Sequence, residues 1–185
     1  MTTRSRPHDP RRIDVERLAR EGAQLEGVWP LDGMQRVVDS CHPDPGPQAS
    51  DDVAWVARGE QRREGGELQT WLELYAHARV TLTCQRCLGP MDTALDVRRR
   101  FRFVEGEEAA AALDAESDDD VLARPSALDL HELAEDELLL AMPIVPRHDV
   151  CPEPIQIDSP LAMNDDTTAS ANPFAALAAL RKARH

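Results

Sequence analysis

The sequence predicts an α+β domain in which an antiparallel β-meander is covered by a helix. Three observations carry this expectation. From Trp71 to Cys84, Leu72, Leu74, Ala76, Ala78, Val80, Leu82 and Cys84 alternate with Trp71, Glu73, Tyr75, His77, Arg79, Thr81 and Thr83, a period of two that marks a strand with one buried face. The alternation resumes at Leu95, Val97, Phe101 and Phe103 after a short connection, and short connections join antiparallel neighbours. Further on, Leu130, Leu133, Ala134, Leu138 and Ala141 form an apolar helical stripe that ends before Pro143.

A chain of 185 residues with 42% hydrophobic content is long enough for one domain with a real core. With only three Trp, one Tyr and three Phe, that core must rest on Leu, Val, Ile and Ala. In chain order, VERLAREGAQLEGVWPL over 15–31 predicts a short helix stopped near Gly22, then an extended segment. The stretch SCHPDPGPQAS, with Pro43, Pro45 and Pro47, excludes a helix interior and predicts a loop over 40–52. Val53, Trp55 and Ala57 supply a third strand.

After the last strand, EGEEAAAALDAESDDD over 105–120 carries eight carboxylates and no basic residue, so repulsion predicts a flexible, solvated acidic linker within a loop spanning 105–127. Asp129, followed three residues later by Glu132, caps a helix over 129–141. Residues 1–158 then form the single domain, 159–171 read as a polar linker, and Asn172-Pro173 opens a short terminal helix over 172–185 with a basic end.

The formal charge of −13 repels phosphate backbones and attracts basic proteins unless the charges are segregated. The N-terminus MTTRSRPHDPRR lacks the apolar region of a secretory signal, and the run from Leu138 to Pro146 is far short of a membrane span. A cytoplasmic protein without a membrane partner is expected. In that reducing compartment a close cysteine pair points to metal or redox chemistry rather than a disulfide framework.

The cysteine turn lies in VTLTCQRCLGPM. Cys84 and Cys87 have the spacing that lets two sulfurs converge on one ion, and His148 and Cys151, in PRHDVC after the helix, could complete a tetrahedral zinc site. Two alternatives stand beside it. Cys84 could pack as a small apolar side chain with Cys87 free, or the pair could be redox-active, although a redox pair belongs at a helix N-terminus and this one follows a strand. Cys41, alone in the proline-rich loop, receives no role.

Arg98, Arg100 and Arg102 share one face of their strand, about 7 Å apart at about 3.3 Å per residue, which suits successive phosphates of an RNA strand. They could equally neutralise the acidic segment that follows. Glu135, Asp136 and Glu137 cannot share a helix face and are expected to be solvated, and His131 is expected on the helix surface. No Ser/His/Asp order or dense carboxylate cluster argues for an enzyme.

Together, LTCQRCLGPM, LDLHELAEDELLLAMPIVPRHDVC and NPFAALAALRK resemble, in this order, the bacterial YceD family, the large ribosomal RNA subunit accumulation proteins, which have plant organelle relatives. Cys84, Cys87, the acids at 135–137, Pro143, Pro146, His148, Cys151 and Asn172-Pro173-Phe174 are the residues that match the family's motifs. The resemblance implies a non-catalytic role in synthesis, processing or stability of large-subunit (23S) ribosomal RNA, through a ribosomal protein or the precursor rRNA. The arginine-containing N-terminal segment and Cys41 depart from the pattern.

Overall fold

Asp14 accepts the backbone N–H of Arg17 and so starts the first helix, α1 (Val15–Glu21), in the computed structural model, which describes residues 7–48 and 51–152. Gly22, in the left-handed region at φ 59°, ends α1 where the sequence places its stop. The extended segment that follows is β1 (Gln24–Pro30), and a single 3-10 turn leads to a short helix, α2 (Gln35–Asp39), that the sequence pattern did not announce.

Three long strands form the body of the sheet: β2 (Asp52–Glu64), β3 (Glu67–Thr83) and β4 (Pro90–Val104). The sheet order is β1-β2-β3-β4-β5, with the first three pairings antiparallel. The α+β meander is therefore as expected, with the helix α4 (Leu130–Ala141) capped by Asp129 through the N–H groups of His131 and Glu132. Val53, Trp55, Leu72, Leu74, Ala76, Leu95, Val97 and Phe101 bury one face of the sheet against Leu18 of α1 and Leu130, Ala134 and Leu138 of α4. On that face Gly59 is obligatory, because a Cβ would stand 2.6 Å from the backbone of Leu18.

The acidic segment is not the solvated linker that its charge suggests. Glu107–Asp114 form α3, with Glu107 and Glu108 in the first turn, where a helix dipole favours negative charge, and four consecutive alanines behind them. Asp120–Ala123 form β5, parallel to β4, with Val121 buried. Arginines on the sheet and just past β5 draw off the repulsion: Asp119 accepts Arg100 at 2.7 Å, and Glu105 accepts Arg124 at 2.8 Å. The predicted linker over 159–171 and the terminal helix over 172–185 lie outside the described residues.

Two further expectations are corrected on α4. His131 is buried, with its ring edge-on to Trp29 at 5.0 Å, and Trp29 in turn stacks on Trp55 at 4.3 Å. Glu135 and Glu137 are buried as well. Glu135 accepts the backbone N–H of Arg36 at 2.8 Å and its guanidinium at 2.9 Å, while Asp136 meets the same guanidinium from outside. Glu137 accepts Arg99 at 3.0 Å from the sheet. The two glutamates are two residues apart and reach opposite neighbours, α2 and β4, so neither needs a common helix face.

Their energetics differ. Burial pushes the Glu135 carboxyl up, but the Arg36 guanidinium and the N–H groups of Arg36 and Val37 outweigh it and hold the group below its ordinary value. At Glu137 burial wins over Arg99 and raises the carboxyl. A lowered carboxyl stabilises the fold above its unfolded value and loses that contribution as pH falls through its folded one, whereas a raised carboxyl opposes folding when ionised. Glu135→Gln should therefore cost about 1–2 kcal/mol at neutral pH, with the deficit closing as pH falls below the ordinary carboxyl value of 4.5. Glu137→Gln should be neutral or stabilising at pH 7, and denaturant unfolding of both variants across pH checks the pair.

Candidate functional site

The inward alternation of β3 runs through Val80 and Leu82 and places Cys84 on the same buried face, where the strand gives way to a turn. The turn is closed by Cys84 N–H donating to the Gly89 carbonyl at 3.0 Å and by Leu88 N–H donating to the Cys84 carbonyl at 2.8 Å. Leu88 takes a left-handed φ of 61°, a conformation costly for a branched side chain. That strain reverses the chain within a few residues and brings Cys87 back beside Cys84.

The segment after α4 meets this turn from the other side. Pro143 cannot continue the helix, and Gln85 N–H donates to the Pro146 carbonyl at 2.8 Å, which fixes the segment along the turn. Cys84 Sγ and Cys151 Sγ lie 4.0 Å apart, and Cys87 Sγ and His148 Nδ1 lie 3.4 Å apart. All four donor atoms fall within 4.8 Å of one another. At 4.0 Å the sulfurs are far beyond a disulfide bond of about 2.05 Å. A tetrahedron with zinc–sulfur bonds of about 2.3 Å and zinc–nitrogen bonds of about 2.0 Å requires S···S edges of about 3.8 Å and S···N edges of about 3.5 Å. The donor set fits zinc in type, number and spacing.

Surrounding groups favour the deprotonated, metal-binding form at Cys84 but not at Cys87, where the Gly89 N–H lowers the thiol while burial and the neighbouring Cys151 and Cys84 sulfurs outweigh it and raise the group. Burial alone would raise the Cys84 thiol, yet the N–H groups of His148, Cys87 and Arg86 directed at its sulfur hold it down at about 5. Arg86, between the two cysteines, donates from Nε to Cys151 Sγ at 3.0 Å and from Nη2 to the His148 carbonyl at 2.9 Å. His148 Nε2 lies 3.0 Å from the Pro90 carbonyl, which can only accept, so a neutral imidazole donating there would turn its Nδ1 lone pair to the cysteines. Three thiolates, one neutral imidazole and one zinc ion would carry a net charge of −1, which the Arg86 guanidinium balances.

Sequence spacing named the four residues whose donor atoms the fold brings together and missed Arg86, whose guanidinium reaches a sulfur 65 residues away. Cys41 stands apart, its thiol donating to the Val37 carbonyl at 3.3 Å. Its neighbour His42 does reach the turn, donating its backbone N–H to the Thr81 carbonyl at 2.7 Å.

The arginine strand has a different setting. Arg98, Arg100 and Arg102 all sit on the sheet face opposite α1 and α4, as the alternation requires. Arg98 lies over the Tyr75 ring at 5.4 Å and Arg100 over Trp71 at 6.0 Å, joined there by Arg62 of β2 at 5.1 Å. Arg102 is half-buried, with its Nε unpartnered among the described residues. Arg99, between them, points inward to Glu137.

Residues 72–181, more than half of the chain, match the family model described as Large ribosomal RNA subunit accumulation protein YceD. No solved structure matches the chain.

The protein purified without chelator should contain close to one zinc per chain, and a strong chelator should lower its unfolding midpoint. Cys84→Ser should drop the stoichiometry well below one. Arg86→Gln should leave all four ligands in place and weaken zinc binding about 10–100-fold, as loss of an outer-shell partner does. Elemental analysis and competition with a chromophoric chelator read both; metal-free protein of unchanged stability in chelator would leave packed thiols as the description of the site.

Proposed function

The chain belongs to the YceD family of large ribosomal RNA subunit accumulation proteins, and from that premise we propose that it is a non-catalytic factor supporting synthesis, processing or stability of large-subunit ribosomal RNA. The match begins inside β3 and runs past Cys151, so it takes in both halves of the candidate centre, the arginine strand and α4. That coincidence is the observation carrying the proposal.

A structural role for the centre is supported by its donor count. Catalytic zinc keeps one position open for water or substrate, whereas four protein donors turned onto one point leave none. The centre would fasten the β3–β4 turn to the segment after α4. Cys84, Cys87, His148 and Cys151 are the residues proposed to hold zinc.

The partner is a ribosomal protein or the large-subunit precursor rRNA. A net charge of −13 supports attraction of a basic protein, while the arginines gathered on one sheet face support local contact with RNA despite that charge. Among the described residues no helix is long and apolar enough to cross a membrane. A cytoplasmic site of action follows from this role.

Depletion of the protein from growing cells should lower mature large-subunit rRNA relative to small-subunit rRNA. Re-expression of the full chain should restore the ratio, and the Cys84→Ser variant should restore it less well. A tagged pull-down with crosslinking should enrich either one basic ribosomal protein or precursor large-subunit rRNA. Equal loss of both subunit rRNAs on depletion would count against this role.

A further inference from the structure

β5 pairs with β4 only from Phe101 to Val104, so the edge of β4 from Arg98 to Arg100 carries no strand partner among the described residues. A groove forms beside that edge, lined by Arg62, Arg98, Arg99 and Arg100 and by Glu73 and Asp118 to Asp120. Four guanidiniums face four carboxylates, and three of those carboxylates come from one short turn leading into β5. Without that turn the groove would keep its four arginines against Glu73, with Arg62 also held by Glu60 at 2.7 Å and Arg99 by Glu137 at 3.0 Å, so Arg98 and Arg100 would be the cations released.

The arginines are also arranged in a particular way. Arg62 and Arg100 lie over Trp71, and Arg98 lies over Tyr75, which itself donates to Glu73 at 2.5 Å. A guanidinium over a ring is held as an oriented cation whose N–H groups can meet phosphate oxygens, and nucleobases stack on such planes; here Arg62 donates to Glu60 and Arg100 to Asp119, each at 2.7 Å. Arg98 is 74% exposed at its side chain, and Arg100 and Arg62 are 47% and 36% exposed. Simple neutralisation of an acidic segment needs charge only; it does not require aromatic rings beneath the cations.

We propose that this groove binds single-stranded RNA through its phosphates and bases, and that the Asp118–Asp120 turn occupies it as an internal stand-in for phosphate until RNA displaces it. The proposal rests on the reading of the chain as a factor for large-subunit rRNA and adds where RNA binds and what competes with it. The turn is suited to displacement because Asp119 meets Arg100 at the surface, where ion pairs contribute little and exchange readily, and because β5 is only four residues long. A strand of RNA offers a row of phosphates in place of three carboxylates and releases counterions on binding.

The test uses the full chain and a fluorescent single-stranded oligouridylate of about 12 nucleotides, titrated over a series of salt concentrations. Asp118→Asn, Asp119→Asn and Asp120→Asn together should tighten binding at least tenfold and steepen the salt dependence. Arg98→Gln and Arg100→Gln added to that background should abolish the gain and flatten the slope by about one log–log unit per lost phosphate contact. As a control for net charge, Asp32→Asn, Asp44→Asn and Glu132→Gln together should change affinity far less. Unfolding midpoints confirm that each variant is folded.

Unchanged affinity in the Asp118–Asp120 variant, or an equal gain in the control, would overturn the proposal, as would binding indifferent to the arginines. So would capture of a basic ribosomal protein by this face with no RNA binding. In those cases the depletion phenotype would still stand, so failure here is distinguishable from failure of the rRNA role. Loss of the depletion phenotype alone would remove that role and leave the groove's RNA affinity to be judged by the titration.

Discussion

The alternation along β3 is the constraint on which the rest of the structure depends. Seventeen residues in one strand commit every second side chain to the core, and the two flanking antiparallel pairings fix β2 and β4 in register with it. A slip of one residue would turn Leu72, Leu74, Ala76, Val80 and Leu82 to solvent and Glu73, His77 and Arg79 inward. It would also turn Cys84 away from Cys151. The same commitment that builds the core therefore aims the first sulfur of the metal turn and places Tyr75 and Trp71 beneath arginines on the other face.

Charge is managed within that frame. A fully buried Leu contributes about 1.5–3 kcal/mol, and an exposed ion pair about 0–1 kcal/mol, so the sheet and its helices are held by apolar burial. The ion pairs decide orientation instead. Glu135 and Glu137 direct α4 toward Arg36 and Arg99, and Asp119 and Glu105 lay the acidic segment on arginines of the sheet and of the β5 exit. An acidic chain thus sets several of its arginines where its carboxylates would otherwise repel.

Legibility in the sequence followed the range of the signals. The strand core at 71–84, the stop at Gly22 and the Asp129 cap depend on residues a few positions apart and were readable directly. The juxtaposition of the four candidate donors was readable because their spacing is chemical, two in a tight turn and two in an irregular segment after a helix. Burial of Glu135 and Glu137 was hidden, since their partners Arg36 and Arg99 are 99 and 38 residues away. Composition misled at 105–120, where eight carboxylates outweighed the run of alanines as a local signal, while the stabilising arginines belonged to other strands. Burial of His131 was hidden because its ring partner, Trp29, lies on β1 about a hundred residues away.

The cysteine turn and the arginine groove lie toward opposite ends of the same ladder. Leu82 pairs with Met91 beside the turn and Glu73 pairs with Arg100 beside the groove, nine residues apart, or about 30 Å along the strand at about 3.3 Å per residue. No charge or proton at the cysteines acts directly over that distance in salt, where screening is nearly complete beyond about 8 Å. Whatever the centre contributes to the groove must pass through the backbone: fastening the β3–β4 turn holds the two strands in one register. That register alone keeps Arg98 opposite Tyr75, and Arg100 next to Trp71 on the same face. The cysteine turn and the arginine-bearing strand are thus joined mechanically, by two antiparallel strands that share fourteen paired positions.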